Sequence, residues 1–237
     1  MDNLLTIGLK SKIITPQDDV MECLETALQH EQLKEKDIIV ITSKVVAIAQ
    51  GRVQKIESEE EYKSLVRQEA DQVIGDEEVL LTTKNNIFIP WAGIDKSNTP
   101  EGTVVLWPEK PYETAYQILK TLKIHYNLEH VGVVITDSAL IPLRKGTIGI
   151  AIGYAGFKGT EDYREKKDLF GKKIKWTQSS QADMIATAAH LVMGESTEAM
   201  PFAIARGAKV EFTNEEPDPQ ESVMNKEECI FSPLYND

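Results

Sequence analysis

Two uninterrupted apolar runs of strand length, Ile38-Ile39-Val40-Ile41-Thr42 and Val131-Gly132-Val133-Val134-Ile135-Thr136, constrain this chain most. A strand with no polar alternation has no solvent face, so both runs belong inside a sheet. Around them the pattern predicts strands over 4–14, 79–83, 87–89 (after an Asn85-Asn86 turn), 103–106, 148–154, 202–206 and 209–212. Helices are expected over 57–74 and 112–126 and over 180–193, stopped by Gly194, whereas 43–51 is ambiguous, its Val45, Val46, Ile48 and Ala49 suiting a helix ended by Gly51. A further helix follows Pro16-Gln17-Asp18-Asp19, with Val20, Cys23, Leu24, Ala27 and Leu28 at helical spacing. Strands and helices without regular alternation predict a mixed α+β fold rather than a doubly wound sheet.

Linkers, repeats and low-complexity tracts are missing before residue 213, so residues 1–212 read as one domain. Residues 213–237, with three prolines, read as an extended acidic tail, dispensable for activity. The formal charge is -12, and the tail carries seven acids against one base. Net negative charge opposes the counterion release that drives binding to nucleic acid or anionic membranes, and neither is expected as a partner. Between Arg144 and Lys175, by contrast, nine bases face four acids. Cys23 and Cys229 are the only cysteines, which gives neither a disulfide framework nor metal spacing. No apolar run is long enough to span a bilayer and no leader pattern opens the chain, so a cytoplasmic location is expected.

Polar residues follow apolar strands at three places: Ile94-Asp95-Lys96-Ser97-Asn98, Thr136-Asp137-Ser138 and Trp176-Thr177-Gln178. Asp95 and Asp137 are hard oxygen donors of the kind magnesium shares with phosphate, although turn and capping roles explain the same spacing. Ser43-Lys44 offers a hydroxyl and a cation directly after an apolar strand. Walker, dinucleotide and G-x-S-x-G patterns are all missing. The basic stretch reads either as a solvated loop or as a receptor for phosphates and carboxylates, in which Arg144 and Arg164 are bidentate donors and Tyr163 and Phe170 stack a heterocycle. The four histidines show no ligand spacing and read as structural or surface residues.

Taken together, Gly93 to Gly102, Val134-Ile135-Thr136-Asp137-Ser138, Gly149-Ile150-Ala151-Ile152-Gly153, Asp162-Tyr163-Arg164, Asp168-Leu169-Phe170-Gly171, Gln181-Ala182-Asp183, Leu191-Val192-Met193-Gly194 and Ala205-Arg206-Gly207 resemble the coenzyme F-420 gamma-glutamyl ligase family. The resemblance implies largely antiparallel sheets with flanking helices in an intertwined homodimer. It also implies a GTP- (or ATP-) and magnesium- or manganese-dependent ligase that adds L-glutamate to a small-molecule carboxylate through an acyl phosphate. Carried over residue by residue, Asp95 and Asp137 resemble the catalytic metal-binding aspartates. Ser138 stands where a metal-binding threonine is usual, and Gln178 resembles a further metal contact. Ser43, Lys44, Asn98, Thr177 and Gln178, and more loosely Gly8 and Leu9, resemble nucleotide contacts. Arg144, Tyr163 and Arg164 are the expected acceptor contacts, with Arg144 also catalytic.

The chain departs from the family pattern at Ile48, where a lysine is common, and at Glu165, where glycine is common. A further departure is 139–144, Ala-Leu-Ile-Pro-Leu-Arg. The altered 139–143 segment opens folate as a second acceptor. Ile48 and Ser138 motivate a rival reading, a nucleotide-binding regulatory or assembly protein of the same fold with reduced catalysis.

Overall fold

A computed structural model describes residues 3–76 and 79–234. In chain order its elements are β1 (Leu5–Leu9), α1 (Val20–Ala27), β2 (Ile38–Thr42), α2 (Ser43–Ala49), β3 (Val53–Lys55), α3 (Glu59–Glu69), β4 (Gln72–Asp76), β5 (Leu80–Lys84) and β6 (Ile87–Pro90). Then follow β7 (Thr103–Val105), α4 (Pro111–Tyr126), β8 (Gly132–Leu140), β9 (Thr147–Ala155), β10 (Thr160–Asp162), β11 (Gln178–Ser180), α5 (Gln181–Met193) and β12 (Phe202–Arg206).

The two apolar runs are parallel neighbours, β2 and β8, inside a five-stranded sheet of order β1-β12-β2-β8-β9 whose other pairings are antiparallel. Successive side chains point to opposite faces of a strand. Ile39 and Ile41 therefore join the core that holds Leu24 of α1, Val45 of α2 and Leu119 of α4, whereas Ile38 and Val40 join the core beneath α5. On the α5 side both partners are small: Ala203 and Ala205 of the sheet share a core with Ala182, Ala186 and Ala189. The approach is close enough that a Cβ at Gly149 would lie 2.6 Å from the Ala186 carbonyl oxygen. A smaller unit packs Tyr62, Leu65 and Val66 of α3 against Leu80, Val104 and Leu106, beside the β4-β5-β6 sheet. Asn85 and Asn86, at φ 50° and 60°, supply the left-handed pair that a two-residue hairpin turn requires.

The mixed α+β architecture expected from the sequence is present, with several differences in detail. The helix expected over 57–74 ends at Glu69, and Gln72–Asp76 pairs with β5 as a strand. Val73 and Ile74 prolong an apolar pattern that is too short to separate helix from strand. Strand β1 ends at Leu9, and the strand expected over 209–212 is reduced to a single bridge between Phe157 and Phe212. Strand β8 does not end before Asp137 but runs through it to Leu140, paired with β9.

The extended appendage expected after residue 212 is instead docked. The Thr213 N–H donates to the Gly156 carbonyl at 3.0 Å, and Lys158 pairs with Glu215 at 2.9 Å. The Tyr154 hydroxyl meets Glu221 at 2.9 Å and Ser222 at 2.7 Å. Residues 235–237 of that segment lie outside the described residues. Among the described residues no helix is long and apolar enough to cross a membrane.

Candidate functional site

The β2–β8 register sets Thr42 opposite Thr136. The residues that follow, Ser43 at the start of α2 and Asp137 within β8, consequently meet at one end of the sheet. Buried Ser43 sits beside the Asp137 carboxylate, where its hydroxyl favours the charged form. Asp137 also accepts the Ser138 N–H at 2.9 Å and the indole N–H of buried Trp107. The indole has room because residue 93 is glycine: a Cβ there, at φ +71°, would lie 2.2 Å from the Trp107 nitrogen. Burial pushes the Asp137 carboxyl up to about 6 in spite of these donors, and the charge of nearby Asp95 acts in the same direction.

Asp95 is held by a two-way backbone bridge to Val105, both bonds 2.9 Å. Its carboxylate accepts from the Ser97 N–H at 2.6 Å and hydroxyl at 3.0 Å, and Lys44 Nζ lies 2.6 Å from Oδ2. Burial works to raise this carboxyl, but Lys44 and Ser97 outweigh it and hold Asp95 below the usual range. Asn98, left-handed at φ +51°, donates from Nδ2 to the Ser196 carbonyl at 2.9 Å and so ties the 95–98 loop to the segment after α5. Gly8 and Leu9 end β1 at the same end of the sheet. A Cβ at Gly8 would come within 2.9 Å of the Val192 carbonyl oxygen, and Leu9 is buried opposite Phe202.

Ser138 has its hydroxyl elsewhere. Alternation along β8 turns it to the α5 face, where it donates to Glu195 at 3.0 and 3.1 Å. Thr147 donates to the same carboxylate at 3.1 Å, and His190 bridges Glu195 at 3.3 Å and Thr136 at 3.0 Å. His190 thus belongs to this polar network on the α5 face. Glu195 and Trp107 were not foreseen; the signal for Trp107 was a large amphipathic ring just beyond a predicted strand, whose N–H needs a buried acceptor.

A second group lies apart. Tyr163, Arg164, Thr177 and Gln178 belong to an arm built on β10 and β11, at the N-terminal end of α5, whereas Glu195 follows its C-terminal end. Thirteen helical residues separate those ends by about 20 Å. Within the arm Arg164 forks onto Asp162 at 2.5–2.9 Å, the Tyr163 hydroxyl donates to Glu161 at 2.7 Å, and the Tyr163 N–H donates to the Thr177 carbonyl at 3.0 Å. Lys166 and Lys173 pair with Glu161 and Glu165, so much of the local positive charge is already matched. Gln178 is exposed opposite Asp162, and Arg144 is exposed in the loop joining β8 to β9. The chain therefore gathers Ser43, Lys44, Asp95, Asn98 and Asp137, with Gly8 and Leu9 behind them and Ser138 on the reverse face. No contact among the described residues joins Arg144, Tyr163, Arg164, Thr177 or Gln178 to that group.

Chemically, the gathered set offers two carboxylates, one cation and a buried hydroxyl. No group of three or more His, Cys, Asp or Glu side chains suited to a metal ion occurs among the described residues. A cation held by Asp95 and Asp137 would need further oxygens from elsewhere, as magnesium bound with phosphates does.

A family model described as F420-0:Gamma-glutamyl ligase matches residues 8–207. A coenzyme F420:L-glutamate ligase of Methanococcus maripaludis is 33% identical over 243 residues, covering 95% of this chain and 96% of that protein. One from Methanocaldococcus jannaschii is 31% identical over 243 residues, covering 95% of each. One from Methanopyrus kandleri is 32% identical over 216 residues, covering 84% of each.

Proposed function

This chain belongs to the F420-0:gamma-glutamyl ligase family, and on that premise we propose that it joins L-glutamate, through its amine, to the carboxylate of an F-420-0 type acceptor, with GTP or ATP as co-substrate. The observation that carries this reading is the meeting of Ser43 with Asp137 beside the Lys44–Asp95 pair.

A carboxylate is a poor electrophile. The γ-phosphoryl group passes to an acceptor carboxylate oxygen, giving an acyl phosphate and a nucleoside diphosphate. The glutamate amine then attacks the acyl carbon, phosphate leaves, and the nitrogen loses a proton. Such transfer rests on positioning and charge neutralisation rather than on a protein nucleophile. Lys44 and Ser43 face the phosphates, and Trp107 orients Asp137. The partly buried Ile48 packs on the core, which leaves Lys44 as the cation of this turn. Asp95 and Asp137 suit magnesium or manganese: their oxygens are hard, and one carboxylate disfavours ionisation of the other in the absence of a cation. When bound, the metal supplies charge neutralisation at the phosphates.

Thr177, Gln178, Tyr163 and Arg164 serve a site only if a second copy presents its arm, so the active species is a homodimer. In support, Leu169, Phe170 and Trp176 on the arm are 101%, 90% and 88% exposed. The test is incubation of the purified protein with magnesium, GTP or ATP, L-glutamate, and either F-420-0 or folate. A product heavier by one glutamyl residue is expected with F-420-0; no such product with either acceptor would refute the reading.

A further inference from the structure

A cavity of about 610 Å³ runs along the outer edge of β9. Its walls include Ile87, Tyr112, Ile150, Ile152, Tyr154 and, from the docked tail, Val223. The volume and mainly apolar lining fall within the range of small-molecule sites. We propose, building on the ligase reading above, that this cavity holds the flat heteroaromatic end of the acceptor, and that the tail is its outer wall.

Three observations converge on this. First, of the residues assigned to the nucleotide, Gly8, Leu9, Ser43 and Lys44 lie on β1 and just after β2, while β9 is the opposite edge of the sheet; Thr177 and Gln178 are those assigned above to a second copy's arm. An acceptor that meets the γ-phosphate near Asp137 must come from the side the nucleotide leaves free. Second, Asp137 pairs in register with Ile150, which lines the cavity, and past a register shift in the β8–β9 pairing the cavity wraps round β9 to Tyr154 on the α5 face. Four residues of strand span about 13 Å, enough to seat a ring at the Tyr154 end while its carboxylate reaches the Asp137 end. Third, the far end is aromatic: Tyr112 and Tyr154 meet edge to face at 5.3 Å, and the Tyr154 hydroxyl anchors Glu221 and Ser222 of the tail. F-420-type and folate-type acceptors share a flat heteroaromatic end, so the same walls suit either.

Two substitutions fill the cavity from opposite sides without touching the Asp95–Asp137 site. Val223→Trp acts from the tail, and Glu113→Trp acts from an exposed position on α4. Steady-state ligation by the full chain, with F-420-0 in one series and folate in the other, should show the acceptor KM raised at least tenfold in both variants. The KM values for nucleotide and L-glutamate should stay within about twofold. An unchanged acceptor KM in both variants overturns the cavity assignment while wild-type ligation still stands. A raised nucleotide KM instead overturns it in favour of a base pocket. Absence of product from the wild type with both acceptors refutes the ligase reading itself.

Discussion

Trp107 donates its indole N–H to Asp137 across the gap that Gly93 leaves open. That bond orients the carboxylate and, with the Ser43 hydroxyl, favours its charged form against burial. Trp107→Phe keeps the ring and removes the donor. Loss of a hydrogen bond that orients a ligand typically costs 10–100-fold in metal affinity. The magnesium concentration for half-maximal ligation should rise by about that factor with the fold unchanged, as read by titration and circular dichroism.

Asp137 also sets a stability–function conflict. Its folded-state carboxyl is raised to about 6, above the ordinary 3.8, so the ionised form destabilises the native state at neutral pH, and protonation recovers that stability as pH falls through 6 toward 3.8. In metal-free buffer, Asp137→Asn should therefore melt above wild type at pH 7, by on the order of 2–3 kcal/mol. The gain should shrink progressively below pH 6 and be essentially gone below about 4. Ligation should be abolished. Thermal melts at several pH values check both the sign and the window.

Lys44 pairs with Asp95 at 2.6 Å, with the Asp95 side chain 43% exposed, so it contributes little to stability. Under the ligase reading proposed above, its work lies with the nucleotide. Lys44→Gln should raise the nucleotide KM at least tenfold while shifting stability by no more than about 1 kcal/mol.

Arg206 is the opposite case. It forks onto Asp37, which has no solvent exposure, at 2.7 and 2.8 Å, and also holds Glu31 at 2.8 Å. Removing one partner of a buried pair strands the other charge, so Arg206→Ala should destabilise by about 3–5 kcal/mol in urea unfolding. Ligation per folded molecule should change little.

These contrasts show which parts of the molecule its sequence discloses. The apolar runs around Ile39 and Val134 identify the central strands because only a doubly buried strand tolerates them. Asp95 and Asp137 are legible as candidates because each comes after apolar residues inside a family-like motif. The Ala205-Arg206-Gly207 motif reads equally well as functional, and only the burial of Asp37 reveals it as structural. The reverse-face position of Ser138 depends on β8 continuing past Thr136, which apolar content alone does not indicate because the strand becomes polar there. Docking of the tail depends on Tyr154, more than sixty residues away in sequence, finding Glu221 and Ser222. No local pattern encodes such a contact.

The most direct measurement is phosphate release by the purified protein, followed with each substrate omitted in turn. Release that requires nucleotide, acceptor and L-glutamate together, and is lost in Asp137→Ala, is the expected result. Release that proceeds undiminished without L-glutamate, or persists in Asp137→Ala, would contradict a ligase built on the Ser43–Asp137 end of the sheet.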